Sequence, residues 1–217
     1  MPRTPRCVGV ARRCCERRTT GISGVWQRFS PAGRLFSGVA GAVVVLDLWT
    51  KWLAVAHLTR AFDLGRDGTA AVTFGERLGR FLWLAHPPRA PDITVIEGFW
   101  RFRYAENPGA AWSLFAGAAA WFRTPFFLLV SLAAMVFIVY YYRRVGAEQR
   151  WLRLALAMVF GGAVGNFLDR VRFGYVVDFI EWHWHEVASW PIFNIADSAI
   201  SVWVAIMLLD MVLRPKE

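Results

Sequence analysis

Residues 161–184 read GGAVGNFLDRVRFGYVVDFIEWHW. The stretch begins as an apolar, glycine-rich helix and then fills with Asn166, Asp169, Arg170 and Asp178. Gly162, Asn166 and Arg170 recur every four residues, which places them on one helical face. After Gly174 the pattern changes: in extended backbone Val176, Asp178, Ile180 and Trp182 share a side. One segment thus holds a helix end, a turn and a strand, and its charges gather where an apolar run stops. Ionisable groups at membrane depth are costly to bury, so they are functional candidates.

The rest of the chain supplies the membrane. Its 217 residues are 56% hydrophobic, with 12 Trp and 17 Phe, against ~45–50% apolar residues in soluble domains. Four runs, 35–58, 125–142, 151–168 and 192–213, are long and apolar enough to cross ~30 Å of hydrocarbon. None has the three-part pattern of a cleaved signal peptide. The net charge of +9 would suggest nucleic acid for a soluble protein, but here its distribution matters more than its sum, and no nucleic-acid partner is expected.

Basic residues near span ends mark the cytoplasmic side. They crowd the arm before Leu35, the link from Arg143 to Arg153, and the tail with Arg214 and Lys216. Both termini are therefore expected in the cytoplasm, with 59–124 and 170–191 outside. The outer segment also carries several Arg, but long loops weigh little in this rule. The chain divides into a basic arm (1–34), a four-helix membrane domain (35–213) with an outer insertion at about 59–91, and a tail (214–217). Cys7, Cys14 and Cys15 fall in the arm, where a disulfide is not expected.

This orientation brings distant polar residues to one depth near the outer interface. Asp47 and Lys51 lie in the outer half of span one, an i,i+4 pair that can neutralise itself. That pair reads either as a structural clamp or as part of a site. Asn166 and Arg170 end span three, Asn194 and Asp197 begin span four, and Asn107 and Asp178 sit in outer loops. Asp169, off the Arg170 face, reads as a solvated end charge. His183 and His185 read as interfacial side chains rather than metal ligands, and no metal is expected. Asp178 and Asp197 both lie in apolar company with no neighbouring cation in sequence. Two carboxylates sharing a poorly solvated site cannot both ionise easily, so one holds a proton. Such an acid and base can activate water against a peptide carbonyl; helix capping or pairing with Arg170 is the other reading of each Asp.

Four blocks, in order, resemble bacterial lipoprotein signal peptidases (signal peptidase II): DLWTK (47–51), ENPGAAWSLF (106–115), GGAVGNFLDRVRFGYVVDFI (161–180) and FNIADSAIS (193–201). The resemblance covers about 35–213, apart from the insertion. It implies an all-α integral membrane protein of the bacterial inner membrane, with four transmembrane helices, a small extracytoplasmic β-sheet and a short interfacial helix. It implies an aspartyl endopeptidase that removes the signal peptide from diacylglyceryl-modified prolipoproteins, cutting before the lipidated lipobox cysteine. The catalytic pair would be Asp178 and Asp197, supported by Asp47, Lys51, Asn107, Gly109, Asn166, Arg170 and Asn194. No cofactor is implied. Membrane lipids and globomycin-type inhibitors are the other expected partners, and a monomer is expected. Three features depart from the pattern: Trp112 stands where Phe is common, the Arg-rich arm is extra, and 59–91 is longer than usual, ending in a stiff HPPRAP linker. A proton-coupled transporter subunit, with the charges as a relay, and a non-enzymatic membrane assembly factor are the alternatives from other classes.

Overall fold

The computed structural model describes residues 31–63, 72–109, 117 and 119–213. Residues 1–30 of the arm with its cysteines, Trp112, the expected interfacial helix after Ala110 and the tail lie outside the described residues, and residues 31–34 of the arm belong to the first helix.

Four helices are long and apolar enough to cross a membrane: α1 (Pro31–Leu58), α3 (Ala120–Tyr142), α4 (Arg150–Phe173) and α5 (Ile195–Leu213). The shorter α2 (Phe74–Trp83) follows α1, and β1 (Ile93–Ile96), β2 (Trp100–Asn107), β3 (Val176–Trp184) and β4 (Ala188–Ser189) form one antiparallel sheet in that order. α4 packs against α1, α3 and α5. Its small residues allow the approach, as expected where lipid supplies no hydrophobic drive between helices. A Cβ on Gly162 would stand 2.6 Å from the Ala196 carbonyl of α5, and one on Gly165 would collide with the Asp47 carboxylate of α1.

The first two spans start earlier than the sequence reading, at Pro31 and Ala120, and two boundaries beside the site also differ. The third span runs on to Phe173, so Asn166, Asp169, Arg170 and Arg172 all stand on the helix. Neighbouring elements satisfy these side chains, so the helix need not stop where hydropathy does. The fourth begins at Ile195, after Asn194 rather than at Ile192. Gly174 ends α4 at φ +77°, with its N–H on the Arg170 carbonyl. That left-handed turn, cheap only for glycine, swings the chain directly into β3 and places Asp178 against the bundle.

Simple alternation along WRFRYAEN would set an aromatic face, Trp100, Phe102 and Tyr104, against a basic face, Arg101 and Arg103, turned to headgroups. Instead β2 carries one extra residue between the pairs Phe102–Ile180 and Ala105–Asp178, a β-bulge that interrupts alternation. Tyr104 is buried with Val177 and Phe179, and Ala105 stands opposite Asp178. Arg101 is not free for headgroups either. It faces Glu181 across the ladder, 2.7 Å away, and reaches Glu186 at 2.7 Å. Burial would raise the Glu181 carboxyl, but the hydrogen bonds and charge of Arg101 hold it below its ordinary range.

The insertion holds a helix ahead of HPPRAP. α2 opens with a capping box, Thr73 with Glu76, and seats Phe81 in the core cluster with Ala54, Val55 and Leu58. Its last carbonyls, which no helical N–H can reach, accept from Arg172 of α4: Nε to Leu82 at 3.2 Å and Nη2 to Phe81.

Candidate active site

The polar residues meet where α1, α4, α5 and the sheet converge. Asn194 caps α5. Its Oδ1 accepts from the Asp197 N–H at 2.9 Å, and the Asp197 carboxylate accepts from the Asn194 N–H at 3.3 Å. This reciprocal pair satisfies first-turn donors and fixes Asp197 at the positive end of the helix dipole. Asn194 Nδ2 then reaches across to Asp178 Oδ1 at 2.7 Å and Asn166 Oδ1 at 3.1 Å, while Asn166 Nδ2 donates to Asp197 Oδ1 at 2.7 Å. Two amides therefore connect the two carboxyl groups and leave neither free to turn.

The environments of the two acids differ. Burial pushes the Asp178 carboxyl well above its ordinary range, and the charge of Asp197 pushes it further. Asn107, Lys51 and Asn194 act in the opposite direction, but Oδ2 is buried without a hydrogen-bond partner of normal geometry among the described residues. Both acids line one cavity of about 570 Å³, with Asn107, Asn166 and Arg170 on its polar side and Trp182, Trp190 and Phe193 on its apolar side. No residue of α2 lines it; this part of the insertion packs elsewhere.

Arg170 clamps a turn. Its Nη2 donates to the Gly109 carbonyl at 2.8 Å, and its guanidinium lies 5.1 Å from the Phe127 ring centre. Asn107 Oδ1 accepts from the Gly109 N–H at 3.1 Å, so Asn107, Pro108 and Gly109 form a turn held from both ends.

Asp47 and Lys51 stand behind the cavity rather than in it. Lys51 is 1% exposed and its ammonium lies 2.8 Å from Asp47, 2.8 Å from Asp169 and 3.3 Å from the Asn166 oxygen. Its three N–H donors thus have three acceptors. Asp47 Oδ1 also accepts from the Ala196 N–H at 3.1 Å, which ties α1 to the first turn of α5. The structural half of the open reading fits this geometry.

Asp169 corrects the sequence reading. It is 1% exposed, ion-paired with Lys51, and bonded to the Val177 N–H next to Asp178. Its burial depends on a lysine from another helix, which adjacency to Arg170 in sequence hides. Its placement three residues after Asn166 was the available signal. His183 is also buried, not interfacial, with Nδ1 3.4 Å from Glu186. Among the described residues no His, Cys, Asp and Glu group has the geometry to hold a metal.

Four helices long and apolar enough to cross a membrane, with two linked carboxyl groups on one cavity, define a polytopic membrane protein. The family model for signal peptidase (SPase) II matches residues 39–213. The lipoprotein signal peptidase of Anaeromyxobacter sp. (strain Fw109-5) is 53% identical over 171 residues, 77% of this chain and 79% of that one. That of Geobacter sulfurreducens is 44% identical over 182 residues, 84% of this chain and 94% of the relative. A solved bacterial membrane enzyme, determined by the in meso method, aligns at TM-score 0.59 and 26% identity over 84% of this chain and 93% of its own. The chain belongs to the signal peptidase II family.

Proposed function

We propose that the protein is an aspartyl endopeptidase of the bacterial inner membrane that cuts diacylglyceryl-modified prolipoproteins before the lipidated cysteine. The observation that carries this reading is the placement of Asp178 and Asp197 on one cavity, linked through Asn194 and Asn166. Asp178, desolvated and with Oδ2 free, starts as the acid. Asp197, held as a hydrogen-bond acceptor at a helix N-terminus, starts as the base. Water attacks the scissile carbonyl as Asp197 takes its proton and Asp178 protonates the carbonyl oxygen. Asp197 then gives its proton to the departing cysteine nitrogen, and Asp178 recovers one from the gem-diol. The products are a signal peptide with a new carboxylate and a lipoprotein with a free amino terminus. The test is gel-shift cleavage of a lipidated prolipoprotein by purified protein, with and without globomycin. Absence of a globomycin-sensitive product would overturn the assignment, whereas proton-driven flux without cleavage would support the transporter alternative.

Asp47, Lys51 and Asp169 act as positioning residues, as do Asn107, Gly109 and Arg170 at the turn. Arg170→Lys keeps the charge but not the planar fork. Loss of a charge-assisted hydrogen bond costs ~1.5–3 kcal/mol, so cleavage is expected to fall roughly ten- to hundredfold. Near-normal initial rates would reduce Arg170 to a topology signal. The arm 1–34 is proposed to be dispensable for chemistry, because its basic composition suits a cytoplasmic segment. Deletion to about Arg28, with Arg34 retained, should leave cleavage within a few-fold once insertion is normal; an inserted but inactive truncation would reverse that view.

A further inference from the structure

α2 belongs to neither the spans nor the cavity, and its two halves have different surroundings. The C-terminal half is pinned to the protein: Phe81 is buried, Arg80 donates to the Ala61 carbonyl at 2.6 Å, and Arg172 holds the last carbonyls. The N-terminal half overhangs. Phe74 is 74% exposed and Leu78, one turn on, 41% exposed, although both share the apolar face with Phe81.

Depth identifies what that face meets. The Phe74 and Phe81 rings lie 6.1 and 5.2 Å from the ring of Trp52. Trp52 stands six residues before Leu58, the end of α1, which at 1.5 Å per residue is ~9 Å below the end of a spanning helix. The side chain of Trp52 also tilts toward the helix N-terminus, deeper still. Trp49 and Leu53, its neighbours on α1, are 57% and 36% exposed, as lipid-facing residues of a span are. The apolar overhang of α2 is therefore continuous with the lipid-facing surface of α1. A depth of ~5–10 Å is where membrane-surface helices place their apolar face.

Charge agrees with depth. Arg77 is exposed beside the apolar face, Arg60 follows α1 directly, and Arg89 pairs in backbone register with Thr59. None of these guanidinium groups has an ion-pair partner among the described residues. Cations at the end of a span match lipid phosphate. Trp83, 73% exposed, lies on the opposite face of α2, and the two exposed apolar side chains on this face are far too few for a stable protein interface, which buries ~800 Å² per partner.

We propose that α2 is a second membrane-contact element, with Phe74 and Leu78 among the acyl chains of the leaflet on the sheet side and Arg77 at phosphate level. The test places nitroxide labels in the full chain, with Cys7, Cys14 and Cys15 replaced by Ser, in phosphatidylethanolamine–phosphatidylglycerol nanodiscs. Labels at Phe74→Cys and Leu78→Cys should match Leu129→Cys, which is 66% exposed on α3. Their ratio of oxygen to nickel-chelate collisions should be several-fold above that at Trp83→Cys, half a turn round the helix from Phe74. Arg77→Cys should fall between. Nickel access at positions 74 and 78 equal to that at 83 would mean that α2 stands in water. Protection from both reagents would mean that protein covers it. Either result overturns the proposal, and neither depends on peptidase activity.

Discussion

Asp178→Asn and Asp197→Asn should each abolish cleavage while leaving a folded, membrane-inserted protein that still binds globomycin. The Asn amide oxygen can take the bond that Asp178 Oδ1 accepts from Asn194, so the local geometry survives while the titratable proton is lost. Removing a general acid or base typically costs ~10²–10⁴-fold, and loss of one member of a linked pair belongs at the upper end. The double variant should be hardly slower than either single one, because residues acting as a unit are not additive. Stability should move the other way for Asp178. Its folded pKa lies above the unfolded value, so the carboxyl costs nothing below the unfolded pKa and destabilises increasingly as pH rises toward the folded one. Asn removes that cost, so Asp178→Asn should melt higher than wild type at neutral pH and converge with it in acid. Melting curves across pH together with single-turnover cleavage decide the matter. A near-normal rate in either inserted single variant would refute the dyad.

The membrane fold and most of the site were legible because apolar length and four-residue spacing are local signals. Asn166 and Arg170 on one face, and Asp178 on a strand side with Val176 and Trp182, follow from periodicity alone, and all five line the observed cavity. Three things were hidden. The partner that buries Asp169 is Lys51, on a different helix, and no local pattern announces an ion pair across 118 positions. The β2 bulge moves Tyr104 into the core by one inserted residue, a register effect that depends on β3. α2 carries a local signature, the Thr73–Glu76 box before an amphipathic run, but its seat against α1 and α4 depends on Trp52 and Arg172, which no local pattern shows.

Contacts between elements lead to the second large effect, at Lys51. Its ammonium is shared by two buried carboxylates, Asp47 and Asp169, the second of which Arg172 also approaches at 3.5 Å, and each carboxylate holds a backbone N–H beside one of the two proposed catalytic acids: Ala196 beside Asp197, and Val177 beside Asp178. Lys51→Met preserves the length of the side chain but leaves both anions without their shared cation. Breaking a buried pair by removing one partner costs ~3–5 kcal/mol, so this variant should accumulate poorly and melt well below wild type. Asp169→Asn should be milder in stability, since the amide oxygen can still accept from Lys51 and Val177 and the remaining Asp47–Lys51 pair is neutral. It should nevertheless slow cleavage, contrary to the behaviour of a solvated end charge, because Val177 and Asp178 are adjacent on β3. The combination Lys51→Met with Asp169→Asn should be more stable than Lys51→Met alone, as one of the two carboxylates that lost the ammonium is now neutral; this non-additivity is the signature of a shared network. Thermal midpoints of the four proteins in one detergent, read beside single-turnover rates, test the whole arrangement. A Lys51→Met protein that melts with wild type, or a double variant less stable than Lys51→Met, would show that the buried triad does not hold the site.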